Sequence, residues 1–238
     1  GDIQIGQDLL LGGDGLDQLV GDVVGIEIVQ ADPMEVHLTQ LTQQLCQLVA
    51  AGDVNVTDAI VASGGPNYAY KTTFLDVAHL LADADIASVN FEGNLCGAPY
   101  GSNFSAPQSM ATALKKAGVD LVQMANSYSI NRGLSGLATS IESIRSAGME
   151  PLGVYIDQAE KGYTLRNVGG VKIAFVAFTK GMDGMTLPQG SEGSVDLLYT
   201  DYDKMYQDVD EASIRTLMTQ VNSYNPDITV AMLHWGSK

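Results

Sequence analysis

Five apolar runs in this chain each end on a polar residue: LVAAGD at Asp53, IASVNFE at Glu92, LVQMAN at Asn126, IAFVAFTK at Lys180 and ITVAMLHWG at His234. Runs apolar on both faces read as buried parallel strands, and the segments between them carry helical spacing. Strand and helix alternate, so the chain reads as α/β with a mostly parallel sheet. The polar ends are then expected along one edge of a single sheet, the edge where open α/β sheets bind ligands. Carboxylates, an amide and an imidazole gathered there are oxygen and nitrogen donors suited to a metal or a polar substrate.

The helical segments are TTFLDVAHLLADA, APQSMATALKKAG, GLSGLATSIESIRSAG and DEASIRTLMTQVNSY, several closing near a Gly or Asn that stops a helix. VDLVQMAN and MEPLGVY read as further strands. Val168-Gly169-Gly170-Val171 is a two-residue turn signal, which predicts an antiparallel hairpin within YTLRNVGGVKIAFVAF. The stretch from Gly181 to Asp210 reads as an insertion over the sheet edge. Its Met182, Met185, Tyr199, Tyr202 and Tyr206 either pack that loop down or line a polymer groove.

Residues 1–44 differ from the rest, and we treat them as an amino-terminal extension or small subdomain ahead of a domain at 45–238. GIEIVQA from Gly25 alternates like a short strand, and part of MEVHLTQLTQQLCQLVA is read as helix before a strand from about Leu45.

A net charge of −16 among 238 residues argues against nucleic acid or an anionic membrane surface as a partner held by bulk charge. An anionic substrate needs a local cation, and Lys180 is the basic group aimed at the proposed edge. With 45% hydrophobic and 17% charged residues the chain can bury a core. Cys46 and Cys96 fit no zinc or redox spacing, which leaves a disulfide or two unpaired thiols. No run is long and apolar enough to span a bilayer, so membrane attachment is expected only through a segment outside this chain.

Gly52-Asp53, Asn90-Phe91-Glu92, FSAP at Phe104 to Pro107, LKKAGVDLVQMANSYSINRGLSGL, SAGMEPLGVY, IAFVAFT and LHWG occur in the order seen in the poly-gamma-glutamate capsule synthesis (CapA-type) family. The chain resembles that family over about residues 45–238. The resemblance implies a layered α/β sandwich related to the calcineurin-like metallophosphatases, with a metal centre at the strand ends. It also implies a cell-surface protein, commonly membrane-anchored, that acts in capsule or exopolymer production with other capsule synthesis proteins on an anionic or glycan polymer. Because the chain stops two residues after HWG, the family's remaining sheet is expected beyond Lys238.

By the same resemblance, Asp53, Glu92 and His234 match metal-site positions, and Asn55 lies where related phosphatases place a further ligand. Manganese, zinc, iron or magnesium would suit such donors, and His234 would also serve catalysis. Where many relatives read NNH and a later Asp, this chain has Asn126-Ser127-Tyr128 and Asn131. A phenol of pKa about 10 exchanges protons poorly near neutrality and is a weak metal ligand. Tyr128 is therefore expected to serve catalysis beside His234 by donating a hydrogen bond to a substrate oxygen, with Asn126, Asn131 and Lys180 binding substrate. Two readings follow: a metal-dependent hydrolase, or a weakened relative that binds polymer or a capsule partner. Each residue also has a plain structural role available, as Asp53 in a turn, Asn126 as a cap and His234 in the core.

Overall fold

A computed structural model describes residues 24–29, 46–101, 104–157, 160 and 162–236. The helix read within residues 34–45 lies outside them. Among the described residues, eight strands form two sheets of four rather than the single sheet expected. The first contains β2 (Leu48–Asn55), β3 (Ile86–Glu92), β4 (Leu121–Gln123) and β5 (Glu150–Leu152) in that order, all parallel. In the second, the order is β1 (Val24–Val29), β8 (Ile228–His234), β7 (Val171–Thr179) and β6 (Thr164–Val168). There β7 and β8 run parallel, whereas β1 and β6 add antiparallel edges.

The division into two sheets follows from the side chains of β7. Its Ile173, Phe175 and Ala177 meet Ile86, Leu121, Leu152, Val230 and Met232 between the sheets. Alternate residues Ala174, Val176 and Phe178 pack instead on Leu217 and Val221 of α5 (Glu211–Asn222). A strand covered on both faces carries an unbroken apolar run, so the sequence pattern is the same whichever sheet it joins. Across the first sheet, Ala87, Val89 and Phe91 of β3 face the outer helices: α1 (Asp58–Ser63), α2 (Leu75–Ala82), α3 (Ser109–Ala117) and α4 (Gly133–Ser146). The result is a four-layer sandwich, helices on each outside and two sheets within.

The hairpin turn is as the Gly pair predicts. Val168 pairs with Val171, while Gly169 and Gly170 take φ of 58° and 94°, the positive values that a turn matching strand twist requires. Helix α1 was not legible as a helix; it is six residues long and is set by Thr57, whose side chain accepts from Ile60 N at 3.3 Å. At the amino end of α5, Asp210 does the same for Ser213 N at 3.1 Å.

The Gly181–Asp210 segment lies across strand ends, bridging Val154 to Val195 and Thr179 to Leu197. Met182 is wholly buried, and Tyr202 Oη accepts from Leu187 N at 3.0 Å, so these two side chains pack the segment down. Cys46 and Cys96 are both unpaired thiols. No helix among the described residues is long and apolar enough to cross a membrane.

Candidate functional site at the strand ends

Side-chain parity along the strands decides what meets at the carboxyl ends. On β3, Ile86 faces the other sheet, and Ser88, Asn90 and Glu92 follow it at steps of two. In the second sheet, Val230 and Met232 lead to His234, while Phe175 and Ala177 lead to Thr179. The three terminal side chains, Glu92, His234 and Thr179, are thus directed between the sheets.

Asp53 reaches the same space through an irregularity. Ala50 pairs with Ser88 but Asp53 with Asn90, so β2 carries one extra residue between these points. Before the bulge Val49 faces the helices; after it Val54 does, which turns Asp53 and Asn55 toward the inter-sheet face. A bulge of this kind re-aims a side chain, and without it Asp53 would face the helical layer.

The gathered groups form a connected polar chain. Asn90 Nδ2 donates to Asp53 Oδ1 at 2.8 Å and to Glu92 Oε1 at 2.9 Å. Asn126 Nδ2 donates to Asn90 Oδ1 at 3.0 Å and to the Phe91 carbonyl at 2.8 Å, and Asn126 Oδ1 accepts from Tyr128 N at 3.0 Å. His234 Nδ1 lies 3.3 Å from Thr179 Oγ1. Glu92 and His234 are 2% and 0% exposed, which removes water as a competitor for their polar atoms.

His234 Nε2 stands 2.9 Å from Glu92 Oε1, an ion-pair distance. Yet Nε2 makes no hydrogen bond, because the ring N–H direction does not run toward that oxygen. The contact is electrostatic proximity without a directed bond. A second buried polar atom without a partner, Gln123 Oε1, belongs to the last residue of β4. Among the described residues, no three His, Cys, Asp or Glu side chains close on one point as a ready ligand set.

Of the residues singled out in the sequence, Asp53, Glu92, Asn126 and His234 come together. Asn55 is exposed and sits opposite Glu92 in the parallel register. Tyr128 is half-buried, its ring stacked on Phe104 at 4.0 Å, and its carbonyl accepts from Asn94 Nδ2 and from Asn131 N. Lys180 is only 9% exposed; its ammonium donates to the Gly236 carbonyl and lies 5.8 Å from the Tyr206 ring centroid. No carboxylate among the described residues pairs with it, so a buried cation remains beside the HWG turn. Asn90 and Thr179 were missed. The available signal was spacing: Asn90 precedes Glu92 by two and must share its face.

A second, half-buried acid lies outside the cluster. Tyr155 Oη donates to Asp196 Oδ2 at 2.5 Å, and burial pushes the Asp196 carboxyl up to about 7, with the Tyr155 hydrogen bond opposing that rise. The Tyr155 phenol is itself raised, first by burial and then by the neighbouring Asp196 charge. This pair lines a cavity of about 620 Å³ together with Phe178, Leu197, Tyr199 and Leu217.

A four-layer α/β sandwich whose two inner sheets bring carboxylates, amides and an imidazole together at their strand ends defines the class. Residues 47–238 match the family described as bacterial capsule synthesis protein PGA_cap, and the chain belongs to that family. It is also similar to the capsule biosynthesis protein CapA of Bacillus anthracis, at 24% identity over 181 residues, covering 72% of this chain and 42% of that protein. The chain thus spans less than half the length of this curated relative.

Proposed function

We propose that this chain acts in capsule polymer handling at the bacterial cell surface, as a metal-dependent hydrolase or transferase working on an ester or amide of an anionic polymer of the poly-gamma-glutamate type. The observation that carries the reading is the wholly buried His234 Nε2, without a hydrogen bond and 2.9 Å from Glu92 Oε1. Two ligands at right angles on an ion about 2.1 Å from each lie roughly 3.0 Å apart. The pair therefore fits as two neighbouring donors to one divalent ion, manganese, zinc, iron or magnesium.

Glu92 and His234 would hold the ion, with Asp53 kept beside Glu92 by Asn90 and Asn55 next along the same face of β2. When bound, the ion would polarise the scissile carbonyl or phosphoryl oxygen and acidify a water molecule. Lys180 would take an anionic group of the polymer, supplying a local cation in a chain of net charge −16. Tyr128 and Asn131 would contact substrate from the turn after β4. Asn126 would act from behind, since its amide is spent on Asn90, Phe91 and Tyr128.

A second reading is favoured by the absence of a closed three-ligand set among the described residues and by the phenol at Tyr128. Under it, the same strand ends bind polymer or a capsule synthesis partner without turnover. Metal content decides between the two. The purified chain should retain about one equivalent of divalent metal after dialysis, and Glu92→Ala should abolish uptake. A metal-free wild type, or a Glu92→Ala variant with unchanged content, would reject the hydrolytic reading.

A further inference from the structure

We infer that Thr179 is a positioning residue that fixes the tautomer of His234, leaving Nε2 bare toward Glu92. The inference rests on the metal centre proposed above and assigns one of its supports. Thr179 and His234 are paired residues on the parallel strands β7 and β8, and both are 0% exposed. The Thr179 backbone is fixed on both sides, its N–H donating to the Asp196 carbonyl at 3.0 Å and its carbonyl accepting from Leu198 N at 2.9 Å.

A hydroxyl has one proton to give and two lone pairs to receive with. Thr179 Oγ1 gives its proton to the Gly181 carbonyl at 2.8 Å. It receives the Gly181 N–H at 3.3 Å, so toward His234 Nδ1, also at 3.3 Å, it acts as acceptor. Nδ1 therefore carries the ring proton. In its neutral form the imidazole then presents its Nε2 lone pair 2.9 Å from Glu92 Oε1.

A lone pair and an anionic oxygen at that distance repel in a dry site. A cation held between them reverses the sign of the interaction, and the misdirected ring N–H shows that a proton on Nε2 is not aligned for the task. Histidines that ligate metals have their other ring N–H held by a neighbouring acceptor, and loss of that acceptor costs about 10–100-fold in metal affinity. Thr179 occupies that place through a neutral hydroxyl. Without it, the ring proton is free to move to Nε2 and close the nitrogen to a metal.

Two measurements on the full chain test this. In the metal-free protein, ring ¹⁵N shifts of His234, assigned with His37→Gln and His79→Gln variants, should report the Nδ1–H form. Calorimetric titration with Mn²⁺ should show about 10–100-fold weaker binding for Thr179→Val and near wild-type binding for Thr179→Ser. An Nε2–H tautomer in the wild type overturns the inference even if Thr179→Val fails to fold. Unchanged affinity in a folded Thr179→Val overturns the positioning role alone. A wild type that takes up neither Mn²⁺ nor Zn²⁺ removes the metal centre and the positioning role with it.

Discussion

Asp53 and Glu92, on neighbouring parallel strands, accept hydrogen bonds from one nitrogen, Asn90 Nδ2, at 2.8 and 2.9 Å. A carboxamide carries two N–H groups, one for each acid. A neutral side chain thus keeps two carboxylates side by side without adding charge, and Asn126 holds it from behind through Asn90 Oδ1.

Replacing Asn90 by Ala should therefore destabilise the fold by about 1–3 kcal/mol, since it strips donors from acids in a buried site. Asn90→Asp should cost more at neutral pH, because a third carboxylate replaces the shared donor, and should recover as the solution is acidified. Urea denaturation at two pH values checks both. A variant as stable as wild type would deny Asn90 this role.

Gly153 fixes the approach of β5 to β7. Its φ is 75°, and a Cβ there would lie 2.6 Å from Ala125 Cβ and 2.9 Å from the Ala177 carbonyl. Gly153→Ala combines left-handed strain of about 1–2 kcal/mol with a clash against backbone. Thermal unfolding should show a loss larger than the strain alone, whereas Gly170→Ala, with nothing within 4 Å of its Cβ, should show the strain only.

Asp196 predicts a pH dependence of stability. Its folded carboxyl titrates at about 7 against an ordinary value of 3.8, because burial disfavours the anion. The folded state then holds a proton that the unfolded state has released. Stability from this group is complete below the ordinary value and is lost as pH rises toward about 7. Asp196→Asn removes the titration, so its stability relative to wild type should improve between pH 5 and pH 8. A constant difference across that range would contradict the assignment.

Lys180→Met keeps the buried stem and deletes the charge. The fold should lose about 1–3 kcal/mol, since the ammonium's hydrogen bond to the Gly236 carbonyl goes, while an apolar side chain of similar length fills the space. Affinity for poly-gamma-glutamate should fall at least about tenfold, and the salt dependence of binding should weaken. Equal affinity in calorimetry would place this cation outside recognition.

Much of the fold was legible. Apolar runs marked β2, β3, β4, β7 and β8, three-and-four spacing marked α2 to α5, and the Gly pair marked the β6–β7 hairpin. The polar residue closing each run showed where side chains of the site would gather. Asn90 and Thr179 were harder to see, as neither is charged and each gains meaning only from a partner on another strand. Helix α1, six residues long, offers too little periodicity to read.

The chain by itself determined which segments are strands, which residues close them and that the fold is layered α/β, because these depend on local periodicity and on what can be buried. Tertiary structure decided that the strands divide between two sheets, since a strand buried on both faces looks alike in either. It also decided that Asp53 joins Glu92, because one extra residue in β2 turns every following side chain to the opposite face, and that reversal is visible only against the register of β3.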